Sequence, residues 1–285
     1  MNNKKQIAFF GTSKFSAIVL ETLKEGGVVP QLIITTEDKP AGRNLVLTPS
    51  PAKMWAIENK IHFFQPRKLK EEDFLKELKK NEWDIFVVAS YGKIIPKEIL
   101  DLPKNKTLNI HPSLLPKLRV ASPIQASILT EEKVGVTIIV LDEEMDHGPI
   151  IAQKEILLKE WPIGVLDLKD ILAKAGGKLL ADIIPDWTSR KIKAVPQDHS
   201  QATYTKKIEK TDGLIDLTDK PEKNYRKILA YTPWPSAYFF VENKGRKTRV
   251  IIKEAKLLDN KLEIIKVLPE GKKEMPYADF MRGIK

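Results

Sequence analysis

Asn109 and His111 stand two positions apart in TLNIH, residues 107–111. That stretch reads as a short strand stopped by Pro112. Successive strand side chains point to opposite faces, so the amide and the imidazole share one face while Leu108 and Ile110 take the other. A second strand, 136–141, runs into the acidic loop Asp142-Glu143-Glu144-Met145-Asp146-His147-Gly148. Two strand ends therefore offer an amide, an imidazole and carboxylates. An acid beside a histidine orients the ring and suits it to proton transfer. Taken alone, Asn-x-His at a strand end is also a common structural pair. Ligands of open α/β sheets sit outside the carboxyl ends of the strands, where these residues are expected.

The elements that must hold these groups follow from the apolar pattern. Residues 6–10 read as a buried strand entering the turn Gly11-Thr12-Ser13, and 15–24 as a helix with apolar residues at helical spacing. Residues 28–34 are a second strand. The turn sequence GTSKF has one glycine and lacks the G-x-G-x-x-G that lets a backbone approach a pyrophosphate, so a nucleotide cofactor is not supported. Residues 37–50 form a long loop with Lys39, Arg43 and an apolar tip at 45–47. Residues 85–89 are continuously apolar, as in the middle of a parallel sheet. A long helix is expected over 165–184. Beyond a proline-marked boundary, 221–231 reads as a helix, and 237–241, 248–258 and 262–268 as antiparallel strands with turns at 243–245 and 259–260.

The chain of 285 residues is long enough for two cores. It has no cysteine, which excludes disulfides, thiolate catalysis and a Cys-based zinc site. Its four histidines are scattered without metal-ligand spacing, so no metal is expected. No stretch approaches the ~20 apolar residues of a membrane span. The start reaches Gly11 too soon for a signal peptide, and the expectation is a cytoplasmic protein. The net charge is +10, and residues 200–285 carry most of it, with 19 Lys+Arg against 12 Asp+Glu. A basic module suits a polyanion such as nucleic acid, and a lysine-rich solvated surface explains it equally well.

The longer pattern is NIHPSLLP, then a GVTI strand, then D-x-x-x-D-x-G-P-I. It resembles the folate-dependent formyltransferases. The likeness extends through FFGTSKFSAIVLETL, DKPAGRNLVLTPSPAK, VVASYGKIIPKEILDLP, ATYTKKIEKTDGLIDL, YTPWPSAYF and PEGKKEMPYADFMRG. Within the family, the PAGR loop and the EGKK tail favour the branch that formylates methionyl-tRNA. The resemblance implies a Rossmann-like α/β fold, a mostly parallel sheet with helices on both faces, followed by a small OB-like β-barrel that looks shortened. It places a catalytic domain at 1–185, a linker at 186–204 and a tRNA-binding domain at 205–285.

The resemblance also implies roles. The catalytic amide, imidazole and carboxylate fall on Asn109, His111 and Asp146. The folate-contacting segment falls on Ser113, Leu114, Leu115 and Pro116, with the pterin reaching toward Tyr91-Gly92-Lys93 and the loop at Asp142. The loop that approaches the tRNA acceptor end carries Lys39 and Arg43. The implied reaction moves a formyl group from 10-formyltetrahydrofolate to initiator methionyl-tRNA, in a monomer. Asn109 and protonated His111 would face the developing oxyanion, and Asp146 would hold the ring and collect a proton. A sugar-amine formyltransferase shares the same three residues, and a non-catalytic tRNA-binding protein is a further alternative. Three residues depart from the family pattern beside the site, the first being Leu118, where an aromatic residue is usual. Val120 stands where glycine is usual, and His147 where a small residue is usual.

Overall fold

The computed structural model describes residues 5–42, 45–130, 133–243 and 245–284. Along the chain run β1 (Ile7–Gly11), α1 (Lys14–Glu25), β2 (Leu32–Ile34), β3 (Lys39–Ala41), β4 (Val46–Thr48), α2 (Pro51–Glu58) and β5 (His62–Phe64). Next come α3 (Glu72–Lys79), β6 (Ile85–Ala89), α4 (Lys97–Leu100), β7 (Thr107–His111), β8 (Arg119–Val120), α5 (Pro123–Thr130), β9 (Gly135–Val140) and β10 (Ile150–Glu155). The rest comprises α6 (Val165–Thr188), β11 (Tyr204–Thr205), α7 (Pro221–Tyr231), β12 (Tyr238–Asn243), β13 (Arg246–Leu258), β14 (Lys261–Pro269), β15 (Met275–Pro276) and α8 (Tyr277–Arg282).

These elements form two compact units. The first holds Met1–Val120, Val134–Leu157 and Lys169–Tyr204, and the second Ala121–Lys133, Leu158–Leu168 and Thr205–Lys285. This division differs from the boundaries read in the sequence. Residues 186–204, expected as a linker, lie inside the first unit, and α6 runs on through Pro185 to Thr188.

The first unit is built on a seven-stranded sheet in the order β10-β9-β7-β6-β1-β2-β5. Strands β7, β6, β1, β2 and β5 are parallel, and at one edge β9 runs antiparallel to β7 and β10 antiparallel to β9. Every residue of β1 and β6 is buried, as strands covered on both faces require. The register sets Gly11 beside Ala89 and Val88 beside Asn109, so the carboxyl ends of β1, β6 and β7 lie together. On the apolar face of β7, α6 approaches closely enough that a Cβ on Gly176 would stand 2.5 Å from Ile110 Cγ2. Only glycine permits that approach, which leaves the opposite face of β7 to Asn109 and His111.

One expectation changes here. Because β9 is antiparallel to β7, its end at Val140 pairs with Leu108, whereas His111 pairs with Thr137. The two strands do not end at one edge, so the loop after β9 must double back for Asp146 to meet His111. The stretch 37–50 also differs from an irregular loop. Its flanks pair as β3 and β4, with Lys39 opposite Thr48 and Pro40 opposite Leu47.

The second unit carries an antiparallel sheet in the order β12-β13-β14-β15, with α7 and α8. Phe239, Val250, Ile252, Val267, Ile228 and Phe280 form its core. The hairpin from β13 to β14 turns on Asp259 and Asn260, with φ of 48° and 56°. Such a two-residue turn matches the right-handed twist of its strands, and Asp and Asn tolerate the left-handed region. Among the described residues this sheet has four strands, in keeping with the shortened module expected from the resemblance. No helix of the described residues is long and apolar enough to cross a membrane.

Candidate active site

At the carboxyl end of β7, His111 is buried, with 4% of its surface exposed. Its Nε2 donates to the Leu118 carbonyl oxygen at 3.0 Å, and its Nδ1 faces Asp146 Oδ1 at 3.3 Å. A carbonyl can only accept, and so can an ionised carboxylate, so the protonated ring satisfies both partners. Asp146 Oδ2 accepts from the Val120 amide at 2.7 Å. Burial drives the Asp146 carboxyl up, but the His111 hydrogen bond and charge, the Val120 amide and the Arg119 charge outweigh it. The net effect holds the group below the usual carboxylate range.

Asn109 is half-buried on the same face of β7. Two residues of extended strand separate it from His111 by roughly 7 Å. Among the described residues, no hydrogen-bond partner engages its side-chain amide, so both its donors are available to a ligand. The three expected residues thus differ in kind. His111 and Asp146 form a closed pair, and Asn109 is open. The sequence reading aimed both Asn109 and His111 at an oxyanion. In this structure, both ring nitrogens of His111 already face oxygens of the protein.

Ser113 to Pro116 form a rigid turn beside the pair. The Ser113 hydroxyl donates to the Lys117 carbonyl at 2.7 Å, and the buried Thr137 hydroxyl donates to the Ser113 carbonyl at 2.6 Å. The same hydroxyl accepts from the Leu115 amide at 3.1 Å, and Gln153 Nε2 donates to the Leu115 carbonyl at 2.8 Å. The Leu115 side chain is buried, whereas Leu114 and Pro116 are half-buried. Beyond β6, Tyr91 is buried and its hydroxyl has no partner among the described residues; burial pushes its pKa up. Lys93 Nζ is held by the carbonyls of Pro66 and Arg67, at 2.8 and 3.0 Å. Lys39 is exposed on the β3–β4 ribbon, as are Leu45, Val46 and Leu47, at 62–71%. Arg43 lies outside the described residues.

The departures at 118–120 and 147 take definite forms. Leu118 and Val120 both adopt left-handed backbone, with φ of 60° and 79°. Val120 thereby keeps the conformation that glycine would adopt freely, at a strain of roughly 1–2 kcal/mol. Its amide is the one bonded to Asp146. His147 does not touch the Asp146 carboxylate. It bonds Asp142 Oδ2 through Nδ1 at 2.9 Å and stacks on His199, with ring centroids 3.9 Å apart. The groups that sequence reasoning passed over are the Leu118 carbonyl, the Val120 amide and the buried Gln197, and it gave no role to Arg119, which is also buried. Backbone groups leave no signature in side-chain type. An arginine lodged between Leu118 and Val120 was the one available cue.

Residues 5–184 match the family model described as formyl transferase, and residues 207–262 match the one described as formyl transferase, C-terminal domain. The chain belongs to the formyl transferase family. It is 38% identical to the methionyl-tRNA formyltransferase of Sulfurihydrogenibium sp., over 91% of this chain and 83% of that one. It is 35% identical to that of Bacillus velezensis, over 98% and 94%. Its fold resembles a sugar N-formyltransferase from Shewanella sp, with a TM-score of 0.63 at 19% identity, covering 86% of this chain and 96% of the other.

Proposed function

We propose that this chain transfers the formyl group of 10-formyltetrahydrofolate to the α-amino group of methionyl-initiator-tRNA, giving N-formylmethionyl-tRNA. The observation that carries the reading is the sequence likeness, over nearly the whole chain, to relatives bearing that name. The likeness to a sugar N-formyltransferase is one of fold, at 19% identity, and gives the amino-sugar reading less support.

In this reading the neutral amine attacks the formyl carbon, and the carbonyl opens to an oxyanion. The bond from carbon to the folate nitrogen then breaks, and the proton shed by the amine balances the departing nitrogen. Asn109 is the resident donor to the oxyanion, because its amide is engaged by no group among the described residues. His111 supplies positive charge beside it, and its Nε2 reaches the formyl oxygen only by exchanging the Leu118 carbonyl for it. Asp146, held ionised, orients the ring and accepts the proton of the attacking amine, directly or through water.

The folate donor lies against Ser113, Leu114, Leu115 and Pro116. The hydrogen bonds from Thr137 and Gln153 make that turn a preformed wall, and Leu114 and Pro116 offer it apolar surface. Lys39 and the apolar ribbon tip at 45–47 face the acceptor end of the tRNA, and the lysines of residues 200–285 supply the electrostatic grip. The test is incubation with 10-formyltetrahydrofolate and charged initiator tRNA, run beside amino-sugar nucleotides. Formyl transfer to the tRNA is expected, and transfer to the amino sugars alone would sink the reading.

A further inference from the structure

We propose that Gln197 is a positioning residue for Asp146, one buried amide clamping the turn that carries the carboxylate; this rests on the formyl-transfer reading above. Gln197 is 6% exposed. Its Nε2 donates to the Asp146 carbonyl at 2.8 Å and to the Gly148 carbonyl at 2.7 Å. Its Oε1 accepts from Arg119 Nη2 at 2.7 Å. Two carbonyls can only accept and a guanidinium can only donate, so the partners fix which way the amide points.

The clamp addresses a segment that needs holding. Asp146 has a φ of 54°, an uncommon conformation for a residue with a Cβ. Gly148 passes so close to β9 that a Cβ there would stand 1.8 Å from the Val140 carbonyl oxygen. The two bonds from Gln197 fall on either side of His147 and grip both ends of this turn. Arg119 is itself 2% exposed and is also bonded to His199 Nδ1 at 2.9 Å. The clamp is thus anchored in a buried network. Gln197 lies between the segments that match the two family models.

Side-chain chemistry narrows what can stand here. Glutamate would keep the acceptor for Arg119 but turn oxygens toward two carbonyls. Methionine would fill the space and make none of the bonds. Because Gln197 bonds the carrier of the carboxylate and no reacting atom, losing the clamp misplaces Asp146 and leaves the binding surfaces standing.

The experiment compares full-length wild type with Gln197→Glu and Gln197→Met in the tRNA formylation assay. In both variants kcat should fall about 10- to 100-fold, with KM for either substrate within about twofold of wild type. Loss in the Met variant with full kcat in the Glu variant would show that Gln197 only satisfies Arg119, and overturns the proposal. So does a rise in KM with kcat unchanged. Amide hydrogen exchange gives a readout that needs no activity. The Val120 amide should be protected in wild type and should exchange roughly tenfold faster or more in the variants, with β1 and β6 unchanged. A Val120 amide unprotected in wild type, or equally protected in a folded variant, overturns the clamp even if the chain formylates another amine.

Discussion

The Val120 amide donates to Asp146 Oδ2 at 2.7 Å from a backbone with φ of 79°. A β-branched residue is strained there by roughly 1–2 kcal/mol, and the bond it makes is charge-assisted, worth about 1.5–3 kcal/mol. The hydrogen bond outweighs the strain, which is how the site keeps its shape without glycine. Val120→Gly should therefore alter unfolding free energy by no more than about 1 kcal/mol, relief of strain offsetting poorer packing and unfolded-state entropy. Val87→Gly, in fully buried β6, should cost more than about 3 kcal/mol. Urea denaturation of both variants checks this, and equal losses would show that the left-handed backbone carries no strain.

Asn109 and His111 should separate in their effects. Asn109→Ala should lower kcat by about 10²- to 10³-fold, the usual effect of losing an oxyanion donor. Its stability should stay within about 0.5 kcal/mol of wild type, since its amide bonds nothing among the described residues. His111→Ala should lower kcat as well and also destabilise by about 3 kcal/mol, because it strips a buried carboxylate of its partner. Equal stability of the two variants would contradict the closed pair seen at His111.

The pH dependence of stability has a definite sign. The Asp146 carboxyl is held low in the folded chain, burial being outweighed by His111, the Val120 amide and Arg119. Its contribution is therefore fully present above the ordinary aspartate value of about 3.9 and lost as pH falls through the lower folded value. Asp146→Asn should lose that contribution at neutral pH and show a flatter stability profile in the window below about pH 4. Denaturation curves from pH 7 down to pH 3 compare the two, and parallel profiles would refute the assignment.

Thr137 sits under the turn at Ser113 to Pro116, donating to the Ser113 carbonyl and accepting from the Leu115 amide and Gln153. Thr137→Val keeps the shape and removes all three bonds. It should cost about 1–3 kcal/mol and raise KM for the folate donor more than KM for tRNA. Steady-state kinetics with each substrate varied in turn decides this.

Lys272 and Lys273 are exposed beyond β14. Reversing both to Glu should weaken binding to initiator and elongator tRNAs alike. The slope of log affinity against log salt should flatten by about 0.7–0.9 for each phosphate that the variant no longer neutralises. An unchanged slope would place the electrostatic grip elsewhere.

The sequence by itself determined a good deal. Period-2 alternation in residues 107–111 put Asn109 and His111 on one face, and continuous apolar runs marked the buried parallel strands β1 and β6. Asp259-Asn260 announced the hairpin of the second unit, because those side chains tolerate the left-handed backbone that a two-residue turn needs. These are local signals, in which residue type and spacing act directly on the neighbouring backbone. The direction of β9 could not be read this way, since alternation is the same for parallel and antiparallel strands, and so the doubling-back of the Asp146 loop stayed hidden. The partners of His111 and Asp146 also depended on tertiary structure. The Leu118 carbonyl and the Val120 amide are groups that nearly every residue possesses, and only their left-handed φ angles aim them at the site. Gln197 reaches the turn at Asp146 from the far side of a 24-residue helix. Such a pairing exists only once the chain has closed on itself, and no spacing along the chain encodes it.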